Sequence, residues 1–252
     1  METDSTVGAV VLAAGHGTRM KSNIPKMMHK LAGKPLVGHV VDAVMEAGCC
    51  TKPVVVVSSD SVLIRHYLGE RVDYAVQEQQ LGTGHAVAQA RAVLENNAEH
   101  IVVLYGDMPF VHPQSIASLV KRHKERENTI TLMTITVPHF NGEFSSFSSF
   151  SRIIRDEKTG HIARDLQAKD CTKEELEIHE VNPCYFCFNA QWLWNHIDTL
   201  DNNNAQEEYY LTDLLHMAIE AGEPISSISI EPQEARGINT KEDLAIAVNT
   251  IT

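Results

Sequence analysis

Three short apolar runs constrain this 252-residue chain more than any other feature: VGAVVL at 7–12, PVVVVSS at 53–59 and HIVVLYGD at 100–107. Unbroken runs of this length are expected of strands covered on both faces, where neither side of the pleat meets water. The stretch between the first two, PLVGHVVDAVMEAG, places Leu36, Val37, Val40, Val41, Val44 and Ala47 at helical spacing. Pro35 opens that helix and Gly48 closes it, the usual punctuation at helix ends. The alternation continues with a short strand at 72–77, an alanine-rich helix at 84–95, a helix at 114–127 entered through Pro113, and a strand at 129–137. Strands alternating with helices predict right-handed βαβ units. The fold class is therefore α/β, a Rossmann-like, mostly parallel sheet with helices on both faces. Ligands of such sheets bind outside the carboxyl ends of the strands, which directs attention to the loops after Leu12 and Tyr105.

Residues 138–180 break this rhythm. A Phe/Ser repeat, FSSFSSFS, precedes RIIRDEKTGHIARDL, which reads as a hairpin turning at Lys158–Gly160. Regularity returns with a strand at 182–189, a helix at 190–200 and a helix from about Tyr209 to Glu220 ended by Gly222. A strand, SSISI, and a closing helix capped by Thr240 complete the pattern. The expectation is one domain over 1–252, with a core at about 6–137 and 182–252 and an inserted acceptor-binding lobe at about 138–181.

An apolar fraction of 43% is enough to bury a core, and no apolar run approaches the length of a membrane span. The net charge of −12 argues against a nucleic-acid partner, because backbone phosphates are held by clustered Lys and Arg. It leaves a nucleotide substrate open, since a few convergent cations and amides can hold one triphosphate. The acidic METDSTVG start is too short for a signal peptide, so the cytoplasm is the expected address. Five cysteines (49, 50, 171, 184 and 187) without a secretory signal read as reduced thiols. Cys184 and Cys187 form a CxxC inside the strand-like NPCYFCFN; two buried structural thiols are favoured over a zinc or redox site.

The first loop reads LAAGHGTRM at 12–20, followed by Pro25-Lys26. Small residues directly after a buried strand let backbone N–H groups approach a phosphate, although a tight strand-to-helix turn needs the same residues. It is neither a Walker loop nor GxGxxG. The added signal is Arg19 and Lys26, two cations able to converge on a triphosphate.

With these residues the chain resembles the sugar-1-phosphate nucleotidylyltransferases. The pattern L-A-A-G-x-G-T-R-M followed by P-K is most similar to the uridylyltransferase domain of bacterial N-acetylglucosamine-1-phosphate uridylyltransferase. Four further blocks match in order: QEQQLGTGHA (77–86), LYGDMP (104–109), NNNAQEEYYLTD (202–213) and Gly-Ile-Asn (237–239). The resemblance implies that Leu12, Ala13, Ala14, Gly15, Gln77, Gly82, Thr83, Tyr105 and Gly106 bind the nucleotide. It implies catalytic roles for Arg19, Lys26 and Asp107, and acceptor binding by Asn182. It also implies Mg²⁺ held by Asp107 and Asn239, a hard cation suited to oxygen ligands. Taken alone, Asp107 reads as a loop-capping residue and Asn239 as a turn residue before a helix.

The implied reaction joins UTP to a sugar 1-phosphate, N-acetylglucosamine 1-phosphate being the best match, and releases pyrophosphate. That reaction supplies UDP-N-acetylglucosamine, a cell-envelope precursor, in the cytoplasm, from a monomer or small homo-oligomer with no membrane partner. The acceptor half departs from the pattern. Gly-Tyr-Gly-Arg-Ile becomes Ser149-Phe150-Ser151-Arg152-Ile153, the sugar-binding glutamate falls on Gln167, Asn-Thr-Gly becomes Asn182-Pro183-Cys184, and the glycine before Glu-Tyr-Tyr is Glu207. Two alternatives therefore stand: the same chemistry with another hexose 1-phosphate or nucleotide, and a weakly catalytic nucleotide-sugar binding protein.

Overall fold

A computed structural model describes residues 6–204 and 206–251. The described strands are β1 (Val7–Leu12), β2 (Lys30–Leu31), β3 (Lys34–Pro35), β4 (Val54–Ser58), β5 (Asp73–Gln77) and β6 (His100–Tyr105). They continue with β7 (Ile130–Thr136), β8 (Ser151–Arg155), β9 (Ile162–Leu166), β10 (Glu180–Asn182), β11 (Phe186–Asn189) and β12 (Ile225–Ser229). The helices used below are α1 (Leu36–Glu46), α2 (Val62–Leu68), α3 (Thr83–Ala88), α4 (Arg91–Leu94), α5 (Pro113–Glu125), α6 (Lys173–Leu176), α7 (Ala190–His196), α8 (Thr212–Glu220) and α9 (Lys241–Ile251). Among the described residues no helix is long and apolar enough to cross a membrane.

One sheet runs β5-β4-β1-β6-β11-β7-β10-β8-β9, and β12 pairs with β7. The β5-β4-β1-β6 portion is parallel, β12 is parallel to β7, and β11 runs antiparallel between β6 and β7. The apolar runs read from the sequence are these central strands, and Val10, Val11, Val54–Val57 and Ile101–Leu104 are fully buried. α1 and α5 cover one face, in a core with Val37, Val41, Ile116 and Leu119. α3, α7 and α8 cover the other, with Val87, Leu193, Leu214 and Leu215. The mixed, mostly parallel α/β architecture agrees with the expectation.

Three details differ from the sequence reading. The strand expected over 182–189 is broken, because Pro183 has no N–H to donate and Cys184 takes a left-handed conformation (φ 66°). β11 therefore pairs with β6, while β10 pairs with the end of β7 and with β8. That break places the β8–β9 hairpin beyond the carboxyl end of β6, beside the ligand rim of the sheet. The helix expected over 84–95 is interrupted where Gln89 and Ala90 bond three residues back, to Ala86 and Val87, and the coil tightens. The Phe/Ser repeat forms a 3₁₀ helix over Gly142–Ser149. A period of three matches three residues per turn, so Phe144, Phe147 and Phe150 follow one another on one side, the first pair tilted at 6.4 Å and the second edge-to-face at 5.3 Å between centroids. Arg152, only 1% exposed, ties this segment down: its Nη2 donates to Ser148 O at 3.1 Å and its guanidinium lies over the Phe140 ring.

Candidate active site

β1 ends at Leu12 and delivers the chain into the glycine loop at the rim. Gly17 adopts φ 62°, and a Cβ there would lie 2.3 Å from Lys26 Cβ, so only glycine lets the loop close over Lys26. Lys26 is itself 8% exposed. Its Nζ donates to Asp107 Oδ2 and, at 2.6 Å, to Asn239 Oδ1. Arg19 Nη2 donates to the same Asn239 Oδ1 at 2.9 Å. Four residues from three separate blocks of sequence thus meet at one point.

The backbone explains the convergence. Asp107 lies two residues past the end of β6, and its carbonyl accepts the Ile238 N–H at 2.8 Å, which staples the Gly-Ile-Asn segment beside it. Asn239 is then held from behind by the start of α9. Asp243 accepts from the N–H groups of Asn239 and Thr240, and Thr240 Oγ1 accepts from the Asp243 N–H at 3.0 Å. This reciprocal cap confirms Thr240 as the stop before the closing helix.

Leu12, Ala14, Gly15, Gln77, Gly82, Thr83 and Tyr105 line one cleft that also reaches Lys26 and Asp107. Met27, Gln80, Ala86 and Glu208 complete its walls. Gln80 and Glu208 fall inside the matched blocks without having been singled out there. Two expected nucleotide contacts sit differently. The Gly106 N–H donates to Leu12 O at 2.9 Å and the Ala13 N–H to Val56 O at 2.8 Å, so neither amide is free to meet a phosphate. Gly106 has another reason to be glycine: a Cβ would press on Leu12 O at 3.1 Å.

The far rim is built by the 202–213 block. Tyr209 exchanges backbone bonds with the glycine turn, its N–H donating to Leu81 O and its carbonyl accepting from the Gly84 N–H, both at 2.8 Å. Only glycine is tolerated at position 82 (φ 110°), because a Cβ there would strike Tyr209 O at 2.5 Å. Thr83 opens α3 rather than capping it: its Oγ1 accepts from the Leu211 N–H at 3.0 Å, and it is hydrogen-bonded to the Tyr105 hydroxyl. Burial pushes the Tyr105 hydroxyl well above the usual tyrosine range, so it stays protonated.

Gln77 is 3% exposed and locked in orientation. Gly82 O can only accept, so the atom 3.0 Å from it is the amide nitrogen, which also meets His85 Nδ1 at 3.1 Å. The amide oxygen is thereby left as an acceptor at the cleft wall.

On the acceptor side, Asn182 is 1% exposed and turns Oδ1 back to the Cys184 N–H at 2.7 Å. That bond supports the left-handed Cys184. Glu207, also left-handed at φ 56°, stands like Cys184 where the resemblance has glycine. The backbone has kept the glycine geometry at both positions. Cys184 and Cys187 lie on opposite faces of the sheet, Cys187 in the α1/α5 core and Cys184 against the other. Burial pushes both thiols well above the usual cysteine range and holds them protonated.

The donor set suits a hard cation. Asp107 Oδ2 and Asn239 Oδ1 already converge on one positive charge, the Lys26 ammonium. Among the described residues no group of three or more His, Cys, Asp or Glu is assembled for a metal. A cation here would take its remaining ligands from phosphate oxygens and water, as Mg²⁺ commonly does.

Known proteins resemble this chain over most of its length. A family model described as MobA-like NTP transferase domain matches residues 9–211. The chain is 41% identical over 245 residues to the bifunctional protein GlmU of Symbiobacterium thermophilum, covering 96% of this chain and 50% of that protein. It is 38% identical over 239 residues to GlmU of Clostridium novyi, covering 95% and 51%. The chain thus spans about half the length of the curated relatives it matches. Among solved structures, a putative glucose-1-phosphate thymidylyltransferase from Bacillus anthracis superposes with a TM-score of 0.77 at 16% identity, over 97% of this chain and 95% of that one. A UDP-glucose pyrophosphorylase complexed with UDP-glucose superposes with a TM-score of 0.73 at 18% identity, over 98% of both. At these identities the structures establish the shared fold alone. Sequence match, fold and the polar rim together make this chain a nucleotidyltransferase, a member of the MobA-like NTP transferase family.

Proposed function

We propose that the chain transfers a uridylyl group from UTP to N-acetylglucosamine 1-phosphate, giving UDP-N-acetylglucosamine and pyrophosphate in the cytoplasm. The observation that carries this reading is the meeting of Arg19, Lys26, Asp107 and Asn239 at the mouth of one cleft. The GlmU relatives at 38–41% identity support the acceptor and the nucleotide.

A sugar phosphate has a second pKa near about 6, so its oxygen is a competent anion at neutral pH without a side-chain base. The obstacle is to bring two polyanions together and to stabilise the charge that develops at the α-phosphorus. Lys26 and Arg19 are placed to do this at the rim, and the burial of Lys26 strengthens its field. Asp107 and Asn239 would hold Mg²⁺, which when bound neutralises phosphate charge. In-line attack by the sugar phosphate breaks the bond to the β-phosphate, and Arg19 assists pyrophosphate departure. The open Gln77 amide oxygen accepts from the uracil ring N–H, a donor that cytosine lacks, and this favours uridine over cytidine.

The test is pyrophosphate release by purified protein with Mg²⁺, UTP and a panel of sugar 1-phosphates. N-acetylglucosamine 1-phosphate should be turned over best. UTP binding without pyrophosphate release from any sugar phosphate would reject the enzyme reading.

A further inference from the structure

Arg19 walls a second cavity, of about 330 Å³, together with Met20, Lys21, Thr240, Lys241 and Glu242. Lys26 and Asp107 line the nucleotide cleft itself. Asn239 Oδ1 joins the two spaces, accepting from Lys26 Nζ of the cleft and from Arg19 Nη2 of the outer cavity. The reaction described above uses Arg19 and leaves Lys21 and Lys241 without a role.

This wall is cationic in an acidic protein. Asp and Glu outnumber Lys and Arg by 33 to 21, so a basic side chain readily finds a carboxylate, as Lys26, Lys34, Lys52, Arg71 and Arg155 do. Among the described residues Arg19, Lys21 and Lys241 form no ion pair, and Arg19 bonds to a neutral amide oxygen. The lining includes a single carboxylate, that of Glu242. Like charges gathered at one cavity repel one another, and a ligand carrying several negative charges relieves that repulsion.

The positive charge here is that of side chains rather than of a helix end. Asp243 already accepts from the N–H groups of Asn239 and Thr240 at the start of α9. The backbone of Lys21 is also unusual, left-handed at φ 45° beside Met20, which is 1% exposed and pins the turn. A side chain makes that conformation unfavourable, and residues that keep it cluster where ligands bind.

We propose that this cavity is an outer site for pyrophosphate, with Lys21 and Lys241 as its binding residues and Arg19 shared with the cleft. When the bond between the α- and β-phosphates breaks, its electron pair leaves on pyrophosphate, and Arg19 is the cation at the boundary. Lys21 and Lys241 then hold the leaving anion outside the cleft. Pyrophosphate carries charge at both ends, so it reaches two cations at once. While it stays, Arg19 is withheld from the next substrate, and the site shows itself as product inhibition. The β- and γ-phosphates of UTP share this chemistry, and the two sources differ in which constant responds. This assignment rests on the uridylyl-transfer reading above.

The experiment compares wild type with the double variant Lys21→Gln/Lys241→Gln. It measures product inhibition by added pyrophosphate, and the reverse reaction of pyrophosphate with UDP-N-acetylglucosamine. The inhibition constant and the KM for pyrophosphate should both rise about 5- to 30-fold, the loss of two solvent-facing charge contacts. The KM values for UTP and the sugar phosphate should stay within about twofold of wild type. High salt should erase the difference, because exposed charges are screened. Lys121→Gln/Arg126→Gln removes the same charge at the far end of α5 and should leave every constant at its wild-type value. Unchanged pyrophosphate constants in the Lys21/Lys241 variant would overturn the assignment. An equal rise in the α5 variant would overturn it too, by tracing the effect to net charge. So would an equal rise in the KM for UTP, which would place the incoming triphosphate at these lysines. If wild type binds UTP yet releases no pyrophosphate with any sugar phosphate, the reading beneath fails, and this assignment with it.

Discussion

His123 lies on α5 in the sheet-facing core, fully buried, at the end of the molecule away from the cleft. Thr131 Oγ1 accepts from Asn128 Nδ2 at 2.8 Å, so its hydroxyl hydrogen is directed to His123 Nδ1 at 3.0 Å. The His123 ring meets His100 edge-on at 5.0 Å, and its Nε2 has no hydrogen-bond partner. Burial, reinforced by His100, brings the pKa down to about 3 from the ordinary value of 6.5. The folded protein therefore keeps His123 neutral where the unfolded chain protonates it. Stability is unaffected above pH 6.5 and falls as the pH drops below it, until the folded pKa is reached. At about 1.4 kcal/mol per pH unit, the loss by pH 5 is about 2 kcal/mol from this residue. Urea unfolding of wild type and His123→Gln at pH 7.5 and pH 5 isolates the effect, because the other titrating groups cancel in the double difference. Wild type should lose about 2 kcal/mol more than the variant between the two pH values. Equal losses would show that the buried ring is protonated in the native state, and the reasoning would fail.

His216 should act in the opposite window. The Asp165 carboxylate 3.7 Å away, with the Asp165 carbonyl that Nε2 binds, holds its pKa above the ordinary 6.5, so its stabilisation is complete below that pH and disappears as the pH rises through the folded value. Unfolding of His216→Gln should accordingly lose less stability than wild type between pH 6.5 and 8.5, and a matching slope would remove the linkage. Arg19→Ala deletes a cation exposed at the rim and should lower kcat far more than UTP affinity, measured by steady-state kinetics and equilibrium binding; equal losses would contradict a transition-state role. Glu207→Gly replaces an exposed side chain at φ 56° and should raise stability by about 0.5–1 kcal/mol, since relief of left-handed strain exceeds the added entropy of glycine in the unfolded chain. A loss of stability in urea unfolding would place the strain elsewhere.

Much of the architecture was written in local pattern. The runs at 7–12, 53–59 and 100–107 could only be strands covered on both sides, and the helical spacing of Leu36 to Ala47 could only pack against them. Period and burial are properties of neighbouring residues, so a linear reading reaches them. The Phe/Ser repeat has its answer in the same place, a period of three for a helix of three residues per turn. The resemblance brought Arg19, Lys26, Asp107 and Asn239 forward as separate blocks. Their convergence through Lys26 Nζ and Asn239 Oδ1 depends on the Ile238 bond to Asp107 and the cap of α9, which no local window contains.

Long-range partners settled the rest. Gly106 and Ala13 lie in the matched motifs, yet neighbouring strands take their amides, because a backbone donor satisfied across a sheet cannot also serve a phosphate. Thr83 reaches across to Leu211 rather than capping its own helix. Asp165 and Ser151 share a face with Asn182 only through the pairing of three strands, and strand register is set by burial of the whole lobe rather than by the residues themselves. Composition and period dictated what the elements would be; tertiary packing decided which polar atoms were spent on the fold and which were left for a ligand.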